Sequence, residues 1–301
     1  MTATATLRIG TRQSRLALAQ AEIAARALAP LVGATSLVPL ATLGDEISAR
    51  NTRGRWVATD GQFTRELERA LIERRVDLVV HSYKDLPTEP VDGLLIAAVL
   101  ERGDPRDCLM SRDGEGLDDL RFGARIGTSS PRRAAQLAAS RSDLIAMPIR
   151  GNVETRLRRL EAGEYDGLLL AAAGLDRLGI AVPDAARLPL DLMLPAPAQG
   201  ALAIQVRADD EALVAILAGV DHLPTRVAVE AERRLLRRLG GGCLAPLGAL
   251  GEVDGDQLRL RAAYEAPNGT YVRAECSGDA TDPDAVIDEV AMAIESALAA
   301  A

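Results

Sequence analysis

A short pattern that occurs twice constrains this chain more than any other feature. Arg8-Ile-Gly-Thr11-Arg-Gln-Ser-Arg15 returns 117 residues later as Arg125-Ile-Gly-Thr128-Ser-Ser-Pro-Arg132. Each copy reads as the end of a strand, a Gly-Thr turn and the start of a helix. In the second copy, Ser130 followed by Pro131 is a good N-cap and first-turn pair. A strand handing over to a helix twice agrees with a two-lobed molecule, whose lobes would meet at a cleft, a frequent ligand location.

Hydrophobic spacing around each copy gives the expected elements. Residues 7–10 read as a strand, followed by a helix from about Ser14 with Leu16, Ala19, Ile23 and Ala27 at helical spacing. Residues 36–42, 77–80 and 94–100 read as strands, and 62–74 as a helix with Phe63, Leu67, Ala70 and Leu71 on one face. The second lobe continues with a strand at 144–149, a helix at 153–161 and a strand at 167–171. Strands alternating with helices predict an α/β fold with mixed, mostly parallel sheets. The Pro-rich stretch 191–205 reads as a crossover back to the first lobe. The last third, with a basic helix at 225–239, alternating strands at 247–253, 257–264 and 271–277, and a closing helix at 286–298, reads as a small α+β domain. The expected division is therefore 1–100 with 198–218 as a discontinuous first lobe, 101–197 as the second, and 219–301 as a C-terminal domain.

At 301 residues the chain is long enough for two or three domains. Its net charge of −8 lies in the last third, where residues 201–301 carry 9 basic and 17 acidic side chains. A global field attracting nucleic acid is not expected, and aromatic content of 2% leaves little for base stacking. No basic-then-apolar start and no apolar run near the ~20 residues of a membrane span are present, so neither a secretory signal nor a membrane partner is expected. Cys108, Cys243 and Cys276 are far apart and form no disulfide framework, which suits a reduced, cytoplasmic chain. With only His81 and His222 beside them, no metal site is expected.

The chain holds one lysine against 34 arginines, and it stands in His81-Ser-Tyr-Lys84-Asp85-Leu-Pro87 directly after an apolar run. Lysine offers a compact charge that desolvation can neutralise, and arginine does not. Asp85 beside it is a candidate to hydrogen-bond a ring N–H, stabilise a developing cation or relay a proton. The plain alternative is a solvated loop pair of small worth.

The helix starts gather hydroxyls (Thr11, Ser14, Thr128, Ser129, Ser130) and guanidiniums (Arg12, Arg132, Arg133), with Arg150, Arg156 and Arg177 at further strand-to-helix turns. Unpaired helix N–H groups with bidentate guanidiniums suit carboxylates or phosphates. Each arginine alone reads as an ordinary surface residue; the repetition over four turns favours an anion cleft. No P-loop pattern is present. Cys243 follows Gly240-Gly-Gly242 after the basic helix, where glycines let a bulky group approach the thiol and Arg233, Arg234, Arg237 and Arg238 favour the thiolate. Cys108 and Cys276 read as structural.

Seven segments in order resemble the porphobilinogen deaminase family: Leu7-Arg-Ile-Gly-Thr-Arg-Gln-Ser14, His81-Ser-Tyr-Lys-Asp-Leu-Pro87, Gly127-Thr-Ser-Ser-Pro-Arg-Arg133, Arg150-Gly-Asn-Val-Glu-Thr-Arg156, Ala172-Ala-Gly-Leu-Asp-Arg177, Ala196-Pro-Ala-Gln-Gly-Ala201 and Gly240-Gly-Gly-Cys-Leu-Ala-Pro246. The resemblance implies two periplasmic-binding-protein-like lobes and a third, cofactor-bearing domain. It implies a monomeric transferase of heme and tetrapyrrole biosynthesis with a dipyrromethane cofactor on Cys243. Four porphobilinogen units would join head to tail with loss of ammonia, through linear pyrrole intermediates, to hydroxymethylbilane. By the same resemblance Asp85 is catalytic, and Arg12, Ser14, Lys84, Ser130, Arg132, Arg133, Arg150, Arg156 and Arg177 bind substrate or cofactor carboxylates. Gln20, Phe63, Thr128, Ser129, Gln199 and Gly200 are placed at the cleft, and hinges fall near 98–104 and 193–200.

Two departures stand out. Thr59-Asp-Gly-Gln-Phe63 replaces the family's usual Gly-Lys-Gly-Leu-Phe, and Ala198-Gln-Gly200 replaces Gly-Gln-Gly. Two other classes remain open from the residues alone: a Schiff-base enzyme using Lys84, and a non-catalytic carboxylate binder.

Overall fold

The computed structural model describes residues 6–42, 64–242 and 245–300. Its strands fall into three sheets. The first has the order β2-β1-β3-β9-β4, built from β1 (Leu7–Arg12), β2 (Thr35–Leu40), β3 (Leu78–Ser82), β4 (Leu94–Val99) and β9 (Leu202–Arg207). The second has the order β5-β8-β6-β7, from β5 (Asp107–Ser111), β6 (Arg125–Gly127), β7 (Ile145–Met147) and β8 (Gly167–Ala171). The third is an antiparallel meander of β10 (Leu247–Asp254), β11 (Gln257–Glu265) and β12 (Tyr271–Asp279).

The repeated octapeptide has a structural counterpart. β1 runs parallel to β3 with Gly10 opposite Val79, and β6 runs parallel to β8 with Gly127 opposite Leu168. A Cβ on Gly10 would stand 3.0 Å from Val79, and one on Gly127 only 2.5 Å from Leu168. Both copies therefore need the smallest residue where the next strand leans in. The arginine that opens each copy is matched as well. Arg8 donates from its backbone N (2.7 Å) and guanidinium to Asp77, and Arg125 donates from its backbone N (2.7 Å) and guanidinium to Asp166.

The chain exchanges one strand between the lobes. After β4 it crosses to β5, antiparallel to β8; after the Pro-rich stretch it returns as β9, antiparallel to both β3 and β4. The sheets are therefore mixed, with parallel pairing confined to β1, β2 and β3 and to β6, β7 and β8. Strand β5 was absent from the sequence expectation: its core is only Cys108, Leu109 and Met110, too short to stand out from a loop.

Helices follow the sequence closely where a cap defines them. α1 (Arg15–Leu28) begins at Ser14, whose Oγ accepts from the Ala17 amide. Its buried face is Ala17, Gln20, Ala21, Ala24 and Leu28, one residue on from the expected stripe of Leu16, Ala19, Ile23 and Ala27. In an alanine-rich helix small residues fit on either side, so packing against the sheet chooses the face. α2 (Arg65–Ile72) buries Leu67, Ala70 and Leu71 as expected; Phe63 lies outside the described residues. α3 (Pro131–Ser140) is capped by Ser130 with proline in its first turn, and α4 (Val153–Glu161) by Asn152, whose Oδ1 accepts from Thr155. α5 (Ala172–Arg177) follows β8 without a break, and α6 (Glu211–Leu217) packs beneath the first sheet. In the third unit α7 (Leu223–Arg238) and α8 (Pro283–Ala299) cover one face of the meander, with Leu235, Leu260, Val290 and Ile294 fully buried between them.

Candidate active site

In open α/β sheets, ligands bind beyond the carboxyl ends of the parallel strands. Those ends carry nearly every residue singled out from the sequence. β1 leads to Arg12 and Ser14, β3 to Lys84 and Asp85, and β6 to Thr128, Ser129, Ser130, Arg132 and Arg133. β7 leads to Arg150 and β8 to Arg177. The two lobes meet here: Lys84 of the first stands in the field of Arg132 and Arg133 of the second, and Asp85 in that of Arg156.

Lys84 follows β3 in a single 3-10 turn, Tyr83–Asp85. Its Nζ donates to Gln199 Oε1 at 3.2 Å. Desolvation pushes its pKa down to about 8, against the pull of Asp85, with Arg133 and Arg132 pushing down and Asp107 pulling up. Asp85 is exposed at the end of the same turn. Beneath the turn, Gln20 Nε2 donates to Ser82 Oγ at 2.8 Å, and buried His81 meets Gln205 at 3.0 Å. Burial holds His81 neutral, with its pKa down at about 4.

Arg132 and Arg133 are buried, and much of their hydrogen bonding is committed inside the protein. Arg132 Nη1 donates to Asp107 Oδ2 (2.7 Å) and to the Leu194 carbonyl (2.6 Å). Arg133 donates from Nε (3.1 Å) and Nη2 (2.6 Å) to Asp107 Oδ1 and from Nη1 to the Leu169 carbonyl. Asp107 is fully buried, and these arginines hold its carboxyl far below the usual range although burial opposes them. Gln199 Nε2 donates to the same Asp107 Oδ1 at 2.9 Å. A continuous chain thus runs from the arginine pair through Asp107 and Gln199 to Lys84. Asp107 is the residue that sequence reading missed. Its only signal was an acidic group opening a strand that was itself overlooked.

The remaining cations are half-buried. Arg156 donates to the Gly151 carbonyl at 2.8 Å, and burial, with Arg133 and Arg150 nearby, lowers its pKa to about 10. Arg177 donates to the Gly200 carbonyl at 2.5 Å and is also lowered to about 10 by burial. Arg12 and Arg150 are half-buried at the same strand ends. The hydroxyls serve the turns: Thr128 Oγ1 accepts from the Ser130 amide, and Ser129 Oγ donates to the Ile149 carbonyl at 2.6 Å.

A cavity opens between this turn and the third unit. Lys84, Leu86, Ser130, Arg132, Pro197, Arg233, Gly242 and Ala245 are among its lining residues, which among the described residues include three cations and no carboxylate. Cys243 itself lies outside the described residues, as do Phe63 and the altered 59–63 segment. The arginines before Cys243 have other partners. Arg233 donates to the carbonyls of Tyr83, Leu86 and Pro87; Arg234 pairs with Asp284, Arg237 with Glu89, and Arg238 with Glu295. These contacts bind the four arginines to neighbouring segments, while the thiol they are expected to favour lies outside the described residues. Among the described residues, Cys108 and Cys276 are free, no cluster of His, Cys, Asp and Glu suits a metal, and no single helix is long and apolar enough to cross a membrane.

Comparison with known proteins gives a consistent result. The family model "Porphobilinogen deaminase, dipyromethane cofactor binding domain" matches residues 7–215, and "Porphobilinogen deaminase, C-terminal domain" matches 227–296. A porphobilinogen deaminase of Desulforudis audaxviator (strain MP104C) is 48% identical over 287 residues, 94% of this chain and 92% of its own length. That of Thermobifida fusca (strain YX) is 48% identical over 284 residues, 93% of this chain and 88% of its own. Among solved structures, the periplasmic VFT2 domain of Bordetella pertussis BvgS aligns with 71% of this chain and 86% of its own at 12% identity and TM-score 0.41.

Proposed function

The chain belongs to the porphobilinogen deaminase family, the transferases that polymerise porphobilinogen to hydroxymethylbilane, and on that premise we propose how its own residues carry the reaction. Asp85 is the catalytic carboxylate, Cys243 carries the dipyrromethane cofactor as a thioether, and the strand-end cations hold pyrrole carboxylates. The observation that carries this reading is the cavity lined by Lys84, Arg132, Arg233 and Gly242, which has three cations and no carboxylate among the described residues and whose Gly242 directly precedes Cys243 in sequence.

The residues present fit a polyanionic group. Arg132, which lines the cavity, keeps a buried Nε with no hydrogen-bond partner among the described residues, a donor that a ligand carboxylate would satisfy. Lys84, Ser130 and Arg132 would hold the group. When bound, it supplies a tethered primer on which the chain grows. Every pyrrole unit brings an acetate and a propionate, so the growing product is a dense anion. Arg12, Ser14, Arg150, Arg156 and Arg177 receive it, with Gln20, Thr128, Ser129, Gln199 and Gly200 shaping the cleft. A carboxylate near Lys84 would favour its charged form and reverse part of the desolvation that lowers its pKa.

The chemical demand falls on Asp85. Breaking the aminomethyl C–N bond of porphobilinogen releases ammonia and leaves the substrate as an azafulvene cation. In its acid form a carboxyl beside the pyrrole N–H can pass its proton to the departing amine, and the carboxylate left behind stabilises the charge as it develops. Asp85, exposed in the field of Arg156 at the end of a turn that is otherwise tied down, suits this role. We further propose the division 1–100 with 198–218, 101–197 and 219–301, a monomer without nucleic-acid or membrane partners, and a cytoplasmic setting.

The test is turnover by Asp85→Asn. With porphobilinogen supplied, this variant should bind substrate and cofactor but release ammonia on the order of a hundredfold or more slowly. Near-normal ammonia release would remove Asp85 from the chemistry.

A further inference from the structure

We propose that Arg233 is a positioning residue for the reaction: it fastens the Asp85-bearing turn to the helix that leads into residues 240–242, and so sets the catalytic carboxylate relative to the cofactor-bearing loop. This rests on the reading of Asp85 and Cys243 given above.

The geometry differs from that of an ordinary interdomain arginine. On the same helix, Arg234 and Arg238 pair with carboxylates of α8. Arg233 instead donates from Nη1 to the carbonyls of Tyr83 (3.1 Å) and Leu86 (2.9 Å) and from Nη2 to that of Pro87 (2.6 Å). These carbonyls bracket Lys84 and Asp85 on both sides. The guanidinium also lies over the Tyr83 ring, 4.4 Å from its centre. Tyr83 and Leu86 pack in one cluster with Val229, one turn earlier on α7. Arg237, a further turn along, donates to the Thr88 carbonyl and pairs with Glu89. The whole run from 83 to 89 is therefore held by one face of one helix.

A planar fork can address several carbonyls at once, and an ammonium on a flexible stem cannot hold the same set. Displacing a reacting group by about 1 Å is enough to cost on the order of a hundredfold in rate. Arg233 touches no reacting atom in this account; it acts through the turn.

The experiment compares wild-type holoenzyme with Arg233→Lys and Arg233→Gln, with Glu230→Gln, whose carboxylate pairs with Arg226, as a control on the same helix. Amide hydrogen exchange and steady-state kinetics are read together. In Arg233→Lys we expect exchange of residues 83–89 to speed about tenfold or more while β3 and β9 keep their protection. We expect kcat to fall about tenfold or more, with KM within about threefold of wild type. Glu230→Gln should match wild type in both. If Arg233→Gln fails to fold, Arg233→Lys decides alone. Folded Arg233→Lys with wild-type exchange at 83–89 or wild-type kcat would overturn the assignment, and so would a loss of protection spread evenly over β3 and β9. Exchange is read without turnover, so a failure of Arg233 and a failure of the Asp85 and Cys243 reading are distinguishable.

Discussion

Arg102 and Glu232 form a buried bidentate pair, Nη1 to Oε1 at 2.6 Å and Nη2 to Oε2 at 3.1 Å. Arg102 lies on the first crossing between the lobes and Glu232 on α7 of the third unit. The same carboxylate accepts from the Ala198 amide (2.6 Å), on the returning crossing, and from the Gly251 amide (2.7 Å), in the meander. Arg102 Nε also donates to the Gln199 carbonyl, and the Gly103 amide to that of Gly200. Both crossings are thus bonded to each other and to the third unit at one side chain, in the segments expected to act as hinges.

Glu232→Ala should therefore destabilise the protein by about 3–5 kcal/mol, because it strips the Arg102 charge of its carboxylate and leaves two amides buried without their acceptor. Glu232→Gln keeps size and an acceptor and should cost less, about 1–3 kcal/mol. Denaturant unfolding measures both. A loss under about 1 kcal/mol in Glu232→Ala would mean that the junction is open to water and carries little.

Ala198 and Gly200 make the second crossing strained in different ways. Ala198 has φ 61°, where the family's usual glycine would be at ease. An L-residue pays ~1–2 kcal/mol there, while glycine loses more entropy on folding, so Ala198→Gly should leave stability unchanged or raise it by up to about 1 kcal/mol. Gly200 has φ +91°, and a Cβ there would stand 2.5 Å from the Gly103 carbonyl oxygen. Gly200→Ala should cost more than about 2 kcal/mol and pull the crossings apart. Unfolding midpoints at constant m-value separate the two; a stabilised Gly200→Ala would contradict the geometry.

Lys84 gives a pH signature that can be assigned without ambiguity, because it is the one lysine in the sequence. In Cys243→Ser, which lacks the attachment thiol, acylation of Lys84 should be half-maximal near pH 8, the value to which burial lowers it. Between that pH and the ordinary lysine range the unfolded chain keeps a proton that the folded chain has lost. The unfolded state then binds more protons, and Lys84's contribution to stability improves as pH rises through this window. In cofactor-loaded wild type, carboxylates at the cavity should move the midpoint upward. A midpoint near 10.5 in Cys243→Ser would show Lys84 to be solvated.

How much of this was legible in the sequence depends on how local the signal was. Ser130-Pro131 marked a helix start that the structure keeps, since a cap is a contact within a few residues. The strand-end cations were legible because the same turn chemistry recurs. Asp107 and Glu232 were not, since one acidic residue among 43 carries no mark of what surrounds it. Their partners are distant: Arg132 and Gln199 for one, Arg102 and Ala198 for the other. The same distance hid the contacts of Arg233, which stands near Cys243 in sequence and donates to carbonyls of the turn at residues 83–87.

The covalent state of Cys243 tests the account most directly. Native protein is purified, digested, and the peptide containing Cys243 is weighed. The prediction is a peptide heavier by one thioether-linked dipyrromethane, with the adduct absent from Cys243→Ser. A bare thiol in protein that still converts porphobilinogen to hydroxymethylbilane would contradict it.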